Sequence, residues 1–428
     1  MIRKWIRLNP CRRKMKIAIA TPVYYPMING VAMFSYNLAC GLAKRGHEVL
    51  VLTPSQTKKQ YSKMENGVKM VYLKSKDIKV YPDQIHDSPK KRKFFYKHGL
   101  KASIFPAKQI KEALKDFHPE VVHVQGSDPI GIAVVSYARK NKIPIVTTEH
   151  NRPEVLTESL HMPNIMRKPI NKLMSAYFVK RQAKSDYVTM PTALAIKELI
   201  GDKDLGVPVE PVSNGVDLTI FKPGKPDADI YKKYSIERNV PIVLYIGRVD
   251  PEKKVDIVLR AFADFLKQCK TNKIDKMSKT LFVVVGDGTD KPRLKRLAFS
   301  LGIDDSVRFL GRITGADLNE LYRVGDVFVT ASEIETQGIV LIEAAASGLP
   351  LIAVDGGAVA EICKNNVNGF LLKPGDIKGI SDAMMKILAD DALNKKMSSN
   401  SIEISREHSL DYTIDKYLNI YNKVIKGV

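Results

Sequence analysis

The feature that most constrains this chain is an alternation that occurs twice. In the first half, short apolar, β-branched runs stand at Lys16–Pro22 (KIAIATP), Glu48–Pro54, Lys69–Leu73, Glu120–Gln125, Pro144–His150 and Tyr187–Pro191. Stretches with helical spacing separate them, such as Val31–Arg45 and Ser103–Phe117. The second half repeats the pattern at Pro241–Gly247, Thr280–Gly286, Val307–Gly311, Val327–Ser332 and Pro350–Val354. Runs that are apolar throughout suit parallel strands covered on both faces. Two βαβ series imply two doubly wound sheets, with ligands beyond the strands' carboxyl ends and a cleft between the domains as the expected site. The Gly-, Pro- and Asp-rich stretch from Val212 to Asp229 places the boundary between them. At 428 residues, two domains are also the natural division.

Charge divides the chain differently. Residues 1–200 carry 36 Lys and Arg against 14 Asp and Glu; the other 228 residues carry 32 of each. The whole net charge of +22 therefore lies in the first half. A lysine-biased genome would load both halves. A one-sided field implies an anionic partner, membrane lipid or nucleic acid. The segment Pro89–Lys101 mixes cations with aromatics; Lys90, Lys91, Arg92, Lys93, Phe94 and Phe95 form its centre, a mixture that suits RNA binding and, in a lipid-modifying enzyme, contact with an anionic membrane surface. Met166–Lys184 has the same composition, with apolar positions at helical spacing, and reads equally as a core-packing helix with a basic outer face. Residues 1–15 form a basic extension, read as a disordered tail, an interfacial anchor or the product of an upstream start codon. Nowhere do 18 apolar residues run together, and the four cysteines have no metal-ligand spacing.

Several loops carry chemistry. Gly30 follows the first strand and precedes a helix, so backbone amides there can face an anion. Arg248 and Lys253, in GRVDPEKK, follow the first strand of the second half and can clamp a diphosphate. Gly286 and Gly288 follow another strand but do not make G-x-G-x-x-G, and no P-loop is present, so dehydrogenase and NTPase readings lose ground. In ETQGIVLIEA, Glu335 precedes a helix that begins near Gly338 and Glu343 lies about one and a half turns inside it. Carboxylates there can accept hydrogen bonds from sugar and ribose hydroxyls. A carboxylate pair also fits glycoside hydrolysis, which leaves Arg248 and Lys253 unexplained. The Asp227–Asp229 DAD reads as a solvated turn in the linker, not a metal site.

The ordered set GRVDPEKK, SNGVD, VVGDG, VRFLGRI, ETQGIVLIEA and GGAVAEICKNNVNGFLLKPGD resembles family-4 retaining glycosyltransferases of the GT-B fold, from Lys16 to about Val428. The resemblance implies two Rossmann-like domains facing a central cleft, 16–213 on the acceptor side and 214–405 on the donor side. A final helix within 406–428 would return to the first domain. It implies that Glu335 contacts the transferred sugar, Glu343 the donor ribose, and Arg248 and Lys253 the diphosphate. Gly30, Gly286 and Gly338 would line the donor site. It also implies front-face displacement with the leaving phosphate as base. PMINGV (Pro26–Val31) and ETQG resemble bacterial diacylglycerol glucosyltransferases. Many members carry H-x-H where this chain has His123-Val124-Gln125, so Gln125, with His150, is an expected cleft residue. TTEHNRPE departs from the usual sequence of the lipid enzymes. The expected activity is transfer of a hexose, glucose first, from UDP-glucose to a lipid such as diacylglycerol. It would need no metal or cofactor and would act peripherally on the cytoplasmic face of the membrane. A soluble acceptor, or a non-catalytic nucleic-acid-binding scaffold, are the alternatives.

Overall fold

The computed structural model describes residues 13–27, 29–77, 101–150, 153, 157 and 162–427. The expected membrane contacts Lys90–Phe95 and most of the basic extension lie outside them. The chain divides into two compact units, residues 1–215 with 410–428, and residues 216–409.

The first unit holds β1 (Lys16–Ala20), β2 (Glu48–Pro54), β3 (Tyr61–Glu65) and β4 (Val68–Leu73). A small pair follows, β5 (Lys76–Asp77) and β6 (Lys101–Ala102), then β7 (Val121–Val124), β8 (Ile145–Thr148), β9 (Tyr187–Met190) and β10 (Val209–Pro211). Its main sheet runs β10-β9-β8-β7-β1-β2-β4-β3 and is parallel except for β3. Alternate residues of β1 face opposite layers. Ile17 and Ile19 pack with the helix Gly30–Lys44 and the C-terminal helix Leu410–Lys426; Ala18 and Ala20 pack with the helices Ala107–Phe117 and Pro129–Lys140. Covering both faces is what makes these strands apolar throughout.

The C-terminal helix is bound to this unit by more than apolar area. Ile414, Tyr417, Leu418, Ile420, Tyr421 and Val424 are buried against the sheet, and Arg45 forms ion pairs with Asp411 and Asp415. A Cβ on Gly41 would meet Ile414 Cδ1 at 2.2 Å, so the two helices lie close there and a larger residue would have to push the end of that side chain aside.

The second unit holds β11 (Ile242–Ile246), β12 (Leu281–Val285), β13 (Val307–Gly311), β14 (Val327–Thr330), β15 (Leu351–Val354) and β16 (Gly369–Leu372). The sheet is fully parallel, in the order β13-β12-β11-β14-β15-β16. Counted within the unit this is 3-2-1-4-5-6, the dinucleotide-binding order, and the topology switches between β11 and β14. Val243 and Tyr245 pack on one face with the helices Val255–Thr271 and Ile377–Ala389. Ile242, Leu244 and Ile246 pack on the other with Tyr322 and the helix Ile339–Ala346.

Candidate active site

The switch point of the second sheet lies between the loops that follow β11 and β14, and these carry Lys253 and Glu335. Lys253 Nζ donates to Glu335 Oε1 at 2.7 Å and approaches Ser332 Oγ at 3.4 Å. Both side chains are about six-sevenths covered, at 14% and 16% exposure. Glycine contacts hold the Glu335 loop in place. A Cβ on Gly356 would sit 2.5 Å from Glu333 Cα, and one on Gly357 2.4 Å from the Glu335 carbonyl oxygen. The Ala358 amide donates to that same carbonyl at 2.9 Å. The loop after β15 thus closes flush on the loop after β14. Gly338 has φ +75°, so the turn from Glu335 into the helix Ile339–Ala346 requires a residue at home in the left-handed region.

Arg248 is placed differently from Lys253. It is 60% exposed and forms ion pairs with Asp250 and Glu252, each at 2.7 Å. The structure therefore brings together only one of the two expected diphosphate cations with Glu335. Gly286 also has a different immediate partner from the one its motif suggests. A Cβ there would lie 1.7 Å from the Gly247 carbonyl oxygen, and its amide donates to Gly311 at 2.8 Å. The close approach that demands glycine is made by the chain's own β11 loop. The Asp227–Asp229 motif is a helix start: Asp227 Oδ1 accepts from the Asp229 amide at the head of Ala228–Lys233.

Glu343 lies in the helix Ile339–Ala346, where Tyr322 reaches it. Tyr322 Oη donates to Glu343 Oε2 at 2.7 Å. Burial pushes the carboxyl up to about 7, and the tyrosine hydrogen bond works against that rise. The Tyr322 hydroxyl is itself held far above its ordinary value, first by burial and then by the adjacent carboxylate. It stays protonated as a donor.

The corresponding strand ends of the first unit carry no such ion pair between Gln125 and His150. Instead they carry a chain of neutral groups. His150 Nε2 lies 2.8 Å from Gln125 Oε1, and Gln125 Nε2 lies 3.2 Å from His123 Nε2. His123 Nε2 is also 2.7 Å from Thr148 Oγ1, and its Nδ1 is 2.7 Å from Tyr421 Oη. Thr148, Thr189 and Tyr417 hydroxyls join the same network within 3.1 Å of one another. With Gln125 donating to His123 Nε2, the imidazole proton sits on Nδ1 and faces Tyr421. Burial lowers both histidines to about 3, and the neighbouring His150 adds to the effect on His123. Gly30 begins its helix beyond β1; Asn29 caps it, its Oδ1 accepting from the Ala32 amide at 2.9 Å.

Comparison with known proteins decides the family. The model described as Glycosyl transferases group 1 matches residues 227–404, and that described as Glycosyltransferase Family 4 matches residues 28–220. The chain is 28% identical over 402 residues to the alpha-monoglucosyldiacylglycerol synthase of Streptococcus pneumoniae, covering 92% of this chain and 83% of that one. It is 25% identical over 420 residues to the N-acetyl-alpha-D-glucosaminyl L-malate synthase of Bacillus anthracis, covering 96% and 98%. An Anabaena protein solved with UDP and glucose superposes with a TM-score of 0.66 at 17% identity, covering 96% and 99%. This chain belongs to the GT-B glycosyltransferases.

Sequence reasoning singled out Glu335 and Glu343 but missed the side chains that support them. Tyr322 gave no motif signal, because an Oη that reaches Glu343 across two helices reads in sequence as one more apolar helix position. Tyr417 and Tyr421 were hidden for the same reason, some 270 residues or more beyond Thr148 and His123. Gly356 and Gly357 were visible within GGAVAE, and a paired glycine after a strand was the available clue.

Proposed function

We propose that the enzyme transfers glucose from UDP-glucose to a lipid hydroxyl such as that of diacylglycerol, with retention of anomeric configuration. The observation that carries the reading is the Lys253–Glu335 pair at the topological switch point. A diphosphate brought there meets Lys253, and the sugar it carries meets Glu335. Glu343, held by Tyr322, accepts from ribose hydroxyls. Arg248 joins the diphosphate by leaving its local carboxylates, and Gly30 and Gly338 let the chain approach the donor. Gln125 and His150 serve the acceptor side. In the reaction the bond from C1 to the leaving phosphate oxygen breaks while the acceptor oxygen bonds C1 on the same face. The acceptor proton passes to the leaving diphosphate. Lys253 and Arg248 offset the charge that develops on it. The site works without a metal ion, and turnover survives excess EDTA.

Support for the lipid acceptor comes from similarity to a glucosyldiacylglycerol synthase and from the basic first half. Among the described residues no helix is long and apolar enough to cross a membrane. On this reading the enzyme works at the membrane surface, on its cytoplasmic face. The relative named as a malate glycosyltransferase favours a second reading, a small soluble acceptor. A donor screen against lipid extract and against soluble hydroxy acids, read by mass spectrometry, decides between them. Glycosylated diacylglycerol is the expected product. A product on soluble acids alone, or on neither, rejects the lipid reading.

A further inference from the structure

The helix Asn164–Gln182 has two sides of different character. Phe178 is buried and Met174 and Val179 are partly buried against Val188, Met190, Ala195 and Leu199 of the first unit. The outward side is not covered. Ile165 is 87% exposed, Leu173 72%, Met166 49% and Tyr177 44%. Ile165, Pro169, Leu173 and Tyr177 succeed one another at i, i+4 and are all exposed, so they form one continuous apolar stripe. Lys168, Lys172, Ala176 and Lys180 make a second exposed i, i+4 stripe. At about 100° per residue the two stripes run side by side, roughly 60° apart. The helix carries five basic residues and no acidic one.

We infer that this helix is the element by which the enzyme docks on an anionic lipid surface, lying in the interface with Ile165, Leu173 and Tyr177 inserted and Lys168, Lys172 and Lys180 among the headgroups. The inference deepens the lipid-acceptor reading and rests on it for its purpose. Apolar side chains and ammonium groups in one exposed sector match the boundary between acyl chains and charged headgroups. Charge complementarity points to the same occupant, because the whole excess of 22 positive charges lies in residues 1–200. A nucleic acid would engage the lysines but leave Ile165 and Leu173 in water. A second copy would cover the apolar stripe but oppose each lysine row with its own kind.

The full-length enzyme is sedimented with phosphatidylcholine vesicles, with and without phosphatidylglycerol, in the absence of donor and acceptor. Wild type is expected to bind the anionic vesicles and to bind them less as salt rises. Lys168→Glu with Lys172→Glu should weaken that binding by roughly tenfold or more, since each cation near the surface contributes about 1 kcal/mol. Ile165→Ser with Leu173→Ser should remove the part that resists salt. All four positions are exposed, so thermal midpoints should stay at the wild-type value; Lys168→Gln with Lys172→Gln provides a milder pair if they do not. Equal binding to neutral and anionic vesicles, or unchanged binding by every variant, overturns the proposal. So does salt-sensitive RNA binding without vesicle binding, or a dimer that Leu173→Ser dissociates. Product analysis is separate. Vesicle binding that follows this pattern while only soluble acids are glycosylated rejects the lipid acceptor and leaves the docking surface standing.

Discussion

The two sheets share the order of their central parallel strands but finish those strands with opposite chemistry. At the switch point of the second unit an ammonium meets a carboxylate, and a second carboxylate is held by a tyrosine. At the strand ends of the first unit, Gln125 links two histidines kept neutral by burial, and the chain of hydroxyls runs on to the C-terminal helix. A parallel sheet with both faces covered supplies a rigid frame and a crevice. It does not supply the chemistry, which comes from a few loop residues. A fixed, partly covered charge suits a diphosphate leaving group. A neutral network suits an acceptor hydroxyl, because it can hold either partner of a hydrogen bond without fixing a charge beside it.

The largest test of this contrast is Lys253→Ala, which should lower kcat/KM by about 100- to 1,000-fold, the range for removing a preorganised group that stabilises developing charge. Arg248→Ala should cost less, roughly tenfold, because that side chain is 60% exposed and already paired with Asp250 and Glu252. Steady-state kinetics with the donor varied reads both. Equal losses would remove the distinction between the two cations.

Next in size is Glu335→Gln. In the free enzyme Glu335 occupies the ammonium that a diphosphate needs. Its neutral replacement should lower kcat by about tenfold or more while tightening UDP, because Lys253 is released. Calorimetry with UDP checks the second half, and unchanged or weaker UDP binding would show that the Lys253–Glu335 pair does not compete with the donor.

A smaller and more specific effect is expected at Tyr322. Glu343 titrates at about 7, above its ordinary value, and its ionised form accepts hydrogen bonds from hydroxyls more strongly than its protonated form. Donor affinity should therefore rise as pH passes upward through about 7. Tyr322→Phe removes the one hydrogen bond that pulls this value down, so the rise should move to higher pH, with a few-fold weaker donor binding at pH 7. Buried this way, Glu343 contributes stability below its unfolded value that is lost as pH rises through about 7, so the midpoint of unfolding should fall slightly over that range. An unmoved pH profile in Tyr322→Phe would reduce the tyrosine to packing.

The same contrast explains what could be read from the sequence. Every apolar run taken as a strand is a strand, because a strand buried on both faces announces itself by composition. The polar edge strand β3, YSKME, did not, since its residues are mostly exposed and alternate weakly. Short strands such as β10 and β16 were likewise passed over. Glu343 was legible because it stands out in the apolar run IVLIEAAA, and Glu335 and Lys253 because ETQGIVLIEA and GRVDPEKK stand in an ordered set of motifs. Their partners were less so: Ser332 and Tyr322 meet them only through tertiary packing, and the glycines of the β15 loop were visible in GGAVAE without any sign of what they touch. The first-unit network is the least legible, since Tyr417 and Tyr421 lie on a helix whose periodicity speaks only of burial.

The smallest expected effect tests that network, through Tyr421→Phe. Phenylalanine keeps the ring packed against His123 but removes the hydroxyl 2.7 Å from Nδ1. With the proton on Nδ1, a buried donor loses its acceptor, at a cost of about 1–3 kcal/mol. The imidazole can recover by moving its proton to Nε2, and Gln125 must then turn its amide to offer oxygen. That turn reverses what Gln125 offers to His150. The expected outcome is a few-fold higher KM for the acceptor with an unchanged KM for the donor, together with a modestly lower unfolding midpoint. A change in packing alone would lower the midpoint and leave acceptor KM where it was. The pH dependence separates the cases further. Both histidines sit at about 3 in the folded protein and near 6.5 when unfolded, so the unfolded chain takes up their protons first. Their contribution to stability is complete above about 6.5 and is lost as pH falls from there toward 3. This loss should persist in Tyr421→Phe, because burial and not the tyrosine holds His123 neutral. A variant that instead resisted acid would show that the C-terminal helix, through Tyr421, is what keeps His123 uncharged.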